Sequence, residues 1–85
     1  MGAPNPTAPQ LGDTIRELRE QRELSLEDLA GLAEIHTTTL SKIERGITNP
    51  QWESVRSLAD AFEIDSSALL RLAETMTRAT AKSAT

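Results

Sequence analysis

The chain of 85 residues has no cysteine, so disulfides, thiolate catalysis and cysteine-ligated zinc are excluded. It has no tyrosine and only one tryptophan and one phenylalanine, Trp52 and Phe62, which leaves the core to aliphatic side chains. No apolar run approaches the roughly 18 residues that span a bilayer. The stretch Met1–Gln10 lacks the basic and apolar regions of a signal peptide. Pro6 stands where myristoylation of Gly2 would need Ser or Thr. The expected location is therefore the cytoplasm. The single histidine, His36, has no ligand cluster near it in sequence, so no metal site is expected. No glycine-rich phosphate loop or nucleophile–base set is present either, and neither an enzyme mechanism nor a cofactor is expected. Basic residues are scarce as well. Nine Lys and Arg against thirteen Asp and Glu give a net charge of −4 and a pI near 4.9, which as a global number argues against a nucleic-acid partner.

What is present suits one small globular domain: 38% hydrophobic and 26% charged residues, with a chain too short for a second core. Residues 1–10 hold three prolines and no apolar periodicity, and read as a disordered leader ahead of a domain at 11–76. From Leu11 the spacing turns helical. Leu11, Ile15, Leu18 and the stem of Arg22 predict helix one over about Gly12 to Gln21 or Arg22. Ser25, with Asp28 three residues on, forms a capping-box pattern and opens helix two at Leu26–Ala33, with Leu26, Leu29, Ala30, Leu32 and Ala33 on its apolar face. Helix three runs from Thr37 to about Arg45, with Leu40 and Ile43 inward, and Gly46 ends it. Pro50 places a loop before helix four, whose face is Trp52, Val55, Leu58, Ala59 and Phe62. Asp65 or Ser66 caps helix five, with the stripe Leu69, Leu72, Ala73 and Met76. The tail, 77–85, is expected to fray. The fold class is all-α, with five helices.

Two short helices separated by Glu34-Ile35-His36, with the small Ala30 available at a crossing point, fit a helix-turn-helix. An ordinary helical hairpin fits that spacing as well. The wording of the chain is more specific. Ile15-Arg-Glu-Leu-Arg19, Leu24-Ser-Leu-Glu-Asp-Leu-Ala30, Thr39-Leu-Ser-Lys-Ile-Glu-Arg-Gly46, Asn49-Pro50 and Leu58-Ala-Asp-Ala-Phe62 together resemble the Cro/C1-type (XRE) helix-turn-helix family over about Leu11–Leu72. The resemblance implies a lambda-repressor-like domain that binds operator DNA as a homodimer and regulates transcription, acting as a repressor on an inverted repeat.

It further implies that helix three is the recognition helix. Its candidate DNA-facing residues are His36, Thr37, Thr38, Thr39, Ser41 and Lys42. Lys42 can donate to a guanine edge or to phosphate, and for Thr37 and Thr38 simple helix-start chemistry is the competing reading. Arg45 and Asn49 match positions beside the DNA backbone. Glu44 matches a glutamate that pairs with a helix-one arginine, here Arg19, to form a structural ion pair. Two positions depart from the family pattern: Leu26 stands where a phosphate-contacting glutamine is common, and Glu34 stands where the turn usually has glycine. Glu34 is therefore expected at positive φ, at a cost of roughly 1 kcal/mol.

Charge by segment refines the global number. Residues 11–35 hold seven acids and three bases, whereas residues 36–50 hold Lys42 and Arg45 against Glu44. The groove-facing segment is the only positive one, and the N-termini of helices two and three add positive poles for phosphate. Leu69, Leu70 and Met76 of helix five are the expected dimer surface, with Leu70 facing outward. The rival reading is an antitoxin or protein-interaction module on the same fold, whose acidic surface binds a protein partner.

Overall fold

The computed structural model describes residues 6–84, with side chains as far as Thr75. Five helices follow one another: α1 (Ala8–Gln21), α2 (Leu26–Ala33), α3 (Thr37–Glu44), α4 (Trp52–Ala61) and α5 (Ser66–Ala84). No strand occurs among the described residues. α1 lies between α5 and α3, while α2 packs on α3 and on α4, and α4 closes the domain against α5.

The first four helices stop in the same way. In each, a residue with left-handed backbone follows the last turn: Glu23 (φ 57°), Glu34 (φ 58°), Gly46 (φ 73°) and Glu63 (φ 62°). The next amide reaches back to the carbonyl five residues earlier: Leu24 to Arg19, Ile35 to Ala30, Ile47 to Lys42 and Ile64 to Ala59, at 3.0–3.1 Å. This is the Schellman arrangement, which satisfies the orphan carbonyls of a helix end and folds an apolar residue back over it. Leu24, Ile35 and Ile64 pack on the core, whereas Ile47 stays exposed. The acid-apolar dipeptides Glu23-Leu24, Glu34-Ile35 and Glu63-Ile64 are thus the stop signals of α1, α2 and α4.

Helix starts follow side-chain chemistry. Thr7 caps α1, its hydroxyl accepting from the Gln10 amide while Gln10 Oε1 accepts from the Thr7 amide at 2.7 Å. Pro9 sits in that first turn, where a missing N–H removes nothing. α1 therefore begins four residues before the expected Gly12, and residues 8–10, read as part of a disordered leader, are helical. The expectations for residues 1–5 lie outside the described residues. At the other end the backbone stays helical through Ala84, past the expected boundary at Thr77.

Ile15, Leu29, Leu40, Ile43, Leu58, Phe62 and Leu69 are almost wholly buried and join the helices in one core. Each such side chain contributes roughly 1.5–3 kcal/mol by leaving water. Thr14, also buried, donates its hydroxyl to the Gln10 carbonyl at 3.0 Å. Four expectations about facing are corrected. Leu32 (59% exposed) and Trp52 (56%) point to solvent, while Leu29, Ala30 and Ala33 fill the core-facing side of α2 and Val55, Leu58 and Ala59 that of α4. On α5 the stripe is rotated: Leu69 and Ala73 are buried, Leu70 packs on the core and Leu72 is exposed. Leu69 and Leu70 therefore do not form an outward dimer surface, and the Met76 side chain lies outside the described residues.

L-residues with left-handed backbone carry a steric cost that glycine avoids, offset in part by glycine's greater freedom when unfolded. Replacing Glu23, Glu34 and Glu63 with Gly is expected to stabilise the fold by about 0.5 kcal/mol per site, seen as a higher urea midpoint with an unchanged m-value. A lower midpoint contradicts this account of the helix ends.

Candidate nucleic-acid interface

α3 has two faces. Leu40, Ile43 and Glu44 are buried, so geometry leaves Thr38, Thr39, Lys42 and Arg45 exposed and Thr37 and Ser41 half-buried. His36 and Asn49, one before the helix and one in the loop after it, are exposed as well. All eight sequence-predicted DNA residues thus lie on α3 or its flanking turns with accessible side chains. A cleft bordered by Thr39, Thr48, Asn49, Pro50, Gln51 and Ser54 extends this surface from α3 to the first turn of α4. Thr48 and Gln51 were not singled out from the sequence, because nothing in their spacing shows that the start of α4 comes back beside Thr39.

The orientation of α3 is held from behind by a charged pair. Arg19 Nε donates to Glu44 Oε2 at 2.7 Å and Nη2 to Oε1 at 3.0 Å, a bidentate geometry suited to the planar guanidinium. Its remaining arm, Nη1, donates to the Leu24 carbonyl at 2.9 Å. One side chain thereby joins α1, the α1–α2 turn and the end of α3. Hydrogen bonding to Glu44 raises the Arg19 pKa above its ordinary value, against an opposing effect of burial. Arg16 Nε stands 3.7 Å from the same carboxylate but is half-exposed and adds little. Glu44 therefore faces Arg19 inside the domain and away from the exposed row of α3.

The helix N-termini differ. Ser25 and Asp28 close α2: Ser25 Oγ accepts from the Asp28 amide, and the Asp28 carboxylate accepts from the Ser25 amide, both at 3.0 Å. The backbone N–H of Ser25, followed by its hydroxyl, holds the Asp28 pKa below the usual carboxylate value. With Glu27 also in the first turn, this end already carries two acids. The expectation of a free positive pole at α2 is corrected. At α3 the pole is open: His36 is the N-cap, and its side chain makes no capping hydrogen bond. Leu26, at the position where the resemblance led one to look for glutamine, is half-buried against the core. Glu34 adopts φ 58°, ψ 44° in the α2–α3 turn.

Among the described residues no group of three or more His, Asp or Glu side chains is placed to hold a metal ion, and no helix is long and apolar enough to cross a membrane.

The chain matches the sequence pattern of the family described as helix-turn-helix domain over residues 10–73. It is 47% identical over 55 residues to the HTH-type transcriptional regulator DdrOP3 of Deinococcus deserti, an overlap of 65% of this chain and 43% of that protein. It spans less than half the length of the curated relatives it matches. Among solved structures it is similar to the restriction-modification controller protein C.AhdI from Aeromonas hydrophila. That pair has a TM-score of 0.70 and 32% identity, over 73% of this chain and 94% of that one. The clp gene regulator ClgR from Corynebacterium glutamicum shares the fold, with a TM-score of 0.80 at 24% identity over 89% of this chain and 81% of that one.

A buried ion pair contributes little net stability when intact, but removing one partner leaves an uncompensated charge. Arg19→Met is expected to cost about 3–5 kcal/mol in urea unfolding, and the Arg19→Met/Glu44→Leu double variant is expected to recover most of that loss. A single variant no less stable than the double contradicts the pairing.

Proposed function

Because the chain belongs to the Cro/C1-type helix-turn-helix family, whose members are transcriptional regulators and not enzymes, we propose that it binds duplex DNA through α3 as a homodimer and represses transcription from an inverted-repeat operator. The observation that carries this reading is the exposed row Thr38, Thr39, Lys42 and Arg45, backed by buried Leu40, Ile43 and Glu44. A helix with this division can enter the major groove while its other side stays packed.

Roles follow from chemistry. Thr38, Thr39 and Ser41 offer hydroxyls, and the threonines add methyl groups for contact with thymine. Lys42 donates to a guanine edge or a phosphate. Arg45 and Asn49, at the exit of α3, suit phosphate contacts that set register without reading sequence. His36 stands beside the uncapped N-terminus of α3, where backbone N–H groups also attract phosphate. Dimerisation is the finer part of the proposal. Two copies of α3 reading successive major grooves lie about 34 Å apart, and each copy supplies only Lys42 and Arg45 as cations in residues 36–50. So few cations per protomer leave one copy little affinity and make binding depend on pairing, with a salt slope of only about 0.9 per phosphate contact.

Selection from a random duplex pool at low salt is expected to recover an inverted repeat. The Thr38→Ala/Lys42→Ala variant is expected to lose retention of that duplex while melting cooperatively at a wild-type temperature. Retention unchanged in the double variant overturns the assignment of α3 as the reading helix.

A further inference from the structure

The four matching helix ends contain an internal comparison. Three hold glutamate at φ 57–62° and one holds Gly46 at φ 73°. Left-handed backbone therefore does not by itself require glycine in this chain. What sets Gly46 apart is its neighbour. A Cβ placed on Gly46 would lie 2.9 Å from Pro9 Cα and 3.2 Å from both Pro9 N and Pro9 Cβ. Two of those three atoms are backbone, in a helical turn closed by the Thr7–Gln10 capping box, so they cannot swing aside as a flexible side chain would.

A second close approach lies three residues along α1. A Cβ on Gly12 would collide with the Ile43 carbonyl oxygen and fall 2.7 Å from that of Glu44. The first turns of α1 are thus seated on the end of α3 at two points, Gly12 on its last carbonyls and Pro9 on Gly46. Gly46 directly follows Arg45 and opens the loop that carries Asn49. A shift of the first turn of α1 toward α3 therefore presses on the backbone that carries both residues.

We infer that the N-terminal turn of α1 belongs to the DNA-binding apparatus, with Pro9 and Gly46 acting as positioning residues that set Arg45 and Asn49 against the phosphate backbone. This rests on the DNA-binding reading above. Pro9 touches no base or phosphate in this scheme. Its contribution is a stop against which the exit of α3 rests, and Gly46 supplies the missing side chain that lets the stop come close. The segment read from the sequence as a disordered leader then includes part of the functional site.

The test uses the full chain and the duplex recovered by selection, with Gly46→Ala, Pro9→Gly, their combination, and Glu63→Ala, which also leaves alanine on left-handed backbone, at the end of α4. Glu63→Ala is expected to bind as the wild type does. Gly46→Ala is expected to bind several-fold more weakly, with the slope of log K against log salt reduced by about 0.9, the loss of one phosphate contact. Pro9→Gly, which removes the Cβ and the ring but leaves the Pro9 Cα and N in place, is expected to restore only part of that lost affinity when added to Gly46→Ala. On its own, Pro9→Gly is expected to shift the backbone amide resonances of Arg45–Asn49, a readout that survives if Gly46→Ala fails to fold. A Gly46→Ala chain no weaker than Glu63→Ala, or unmoved Arg45–Asn49 amides in Pro9→Gly, overturns the positioning role and leaves the DNA-binding reading standing. A wild-type chain that retains no duplex overturns both.

Discussion

Arg19 of α1 meets Glu44 at the end of α3, and most of the geometry of α3 follows from that contact. The two hydrogen bonds to the carboxylate and the third to the Leu24 carbonyl use three directions of one rigid fork. A lysine in this place would supply a charge without that fixed set of angles. The pair brings together groups 25 residues apart, from the second half of α1 and the last turn of α3. It also removes the only acid of residues 36–50 from the surface on which Lys42 and Arg45 lie. One interaction orients the helix and makes its exposed face positive.

The rest of the domain holds that orientation from other sides. Leu40 and Ile43 press α3 into the aliphatic core, and Gly12 lets α1 lie directly on the last carbonyls of α3. At the C-terminal end of α1, Arg22 donates to the Phe62 carbonyl at 3.0 Å and stands 5.0 Å from the centre of the Phe62 ring. Its cation therefore stacks on the single phenylalanine of the chain while binding the end of α4. α1 accordingly joins α3 and α4, through Arg19 and Arg22, whose guanidinium groups bond inward between exposed acids. The acidic balance of residues 11–35 is a property of that outer surface. It leaves the exposed face of α3 unchanged and disfavours contact of α1 with a polyanion.

Much of this was legible in the residues. The Ser25–Asp28 capping box and the three-residue break at 34–36 gave the limits of α2 and the start of α3, because caps act locally. The aliphatic face of α3 was legible for the same reason: in an eight-residue helix, Leu40 and Ile43 leave little choice of inward direction. The start of α1 was carried by an equally local signal, Thr7 and Gln10 at capping-box spacing, but the three nearby prolines outweighed it, although proline is at ease in a first turn. The phase of α5 was less accessible. Leu69, Leu70 and Leu72 offer two stripes of similar apolar content, and only the approach of α1 and α4 selects the one with Leu69, Leu70 and Ala73. Contacts such as Pro9 with Gly46, or Thr39 with the start of α4, are made between segments that carry no mutual signal along the chain.

Titration of the isotope-labelled chain with the selected duplex reads where DNA lies. With DNA against α3 and the turns beside it, backbone amide shifts concentrate in His36–Asn49 and the first turn of α4, while the exposed acids of α1, such as Asp13, Glu17 and Glu20, stay unmoved. Shifts that concentrate on α1 or α5 and spare Thr38, Lys42 and Arg45 would contradict that placement.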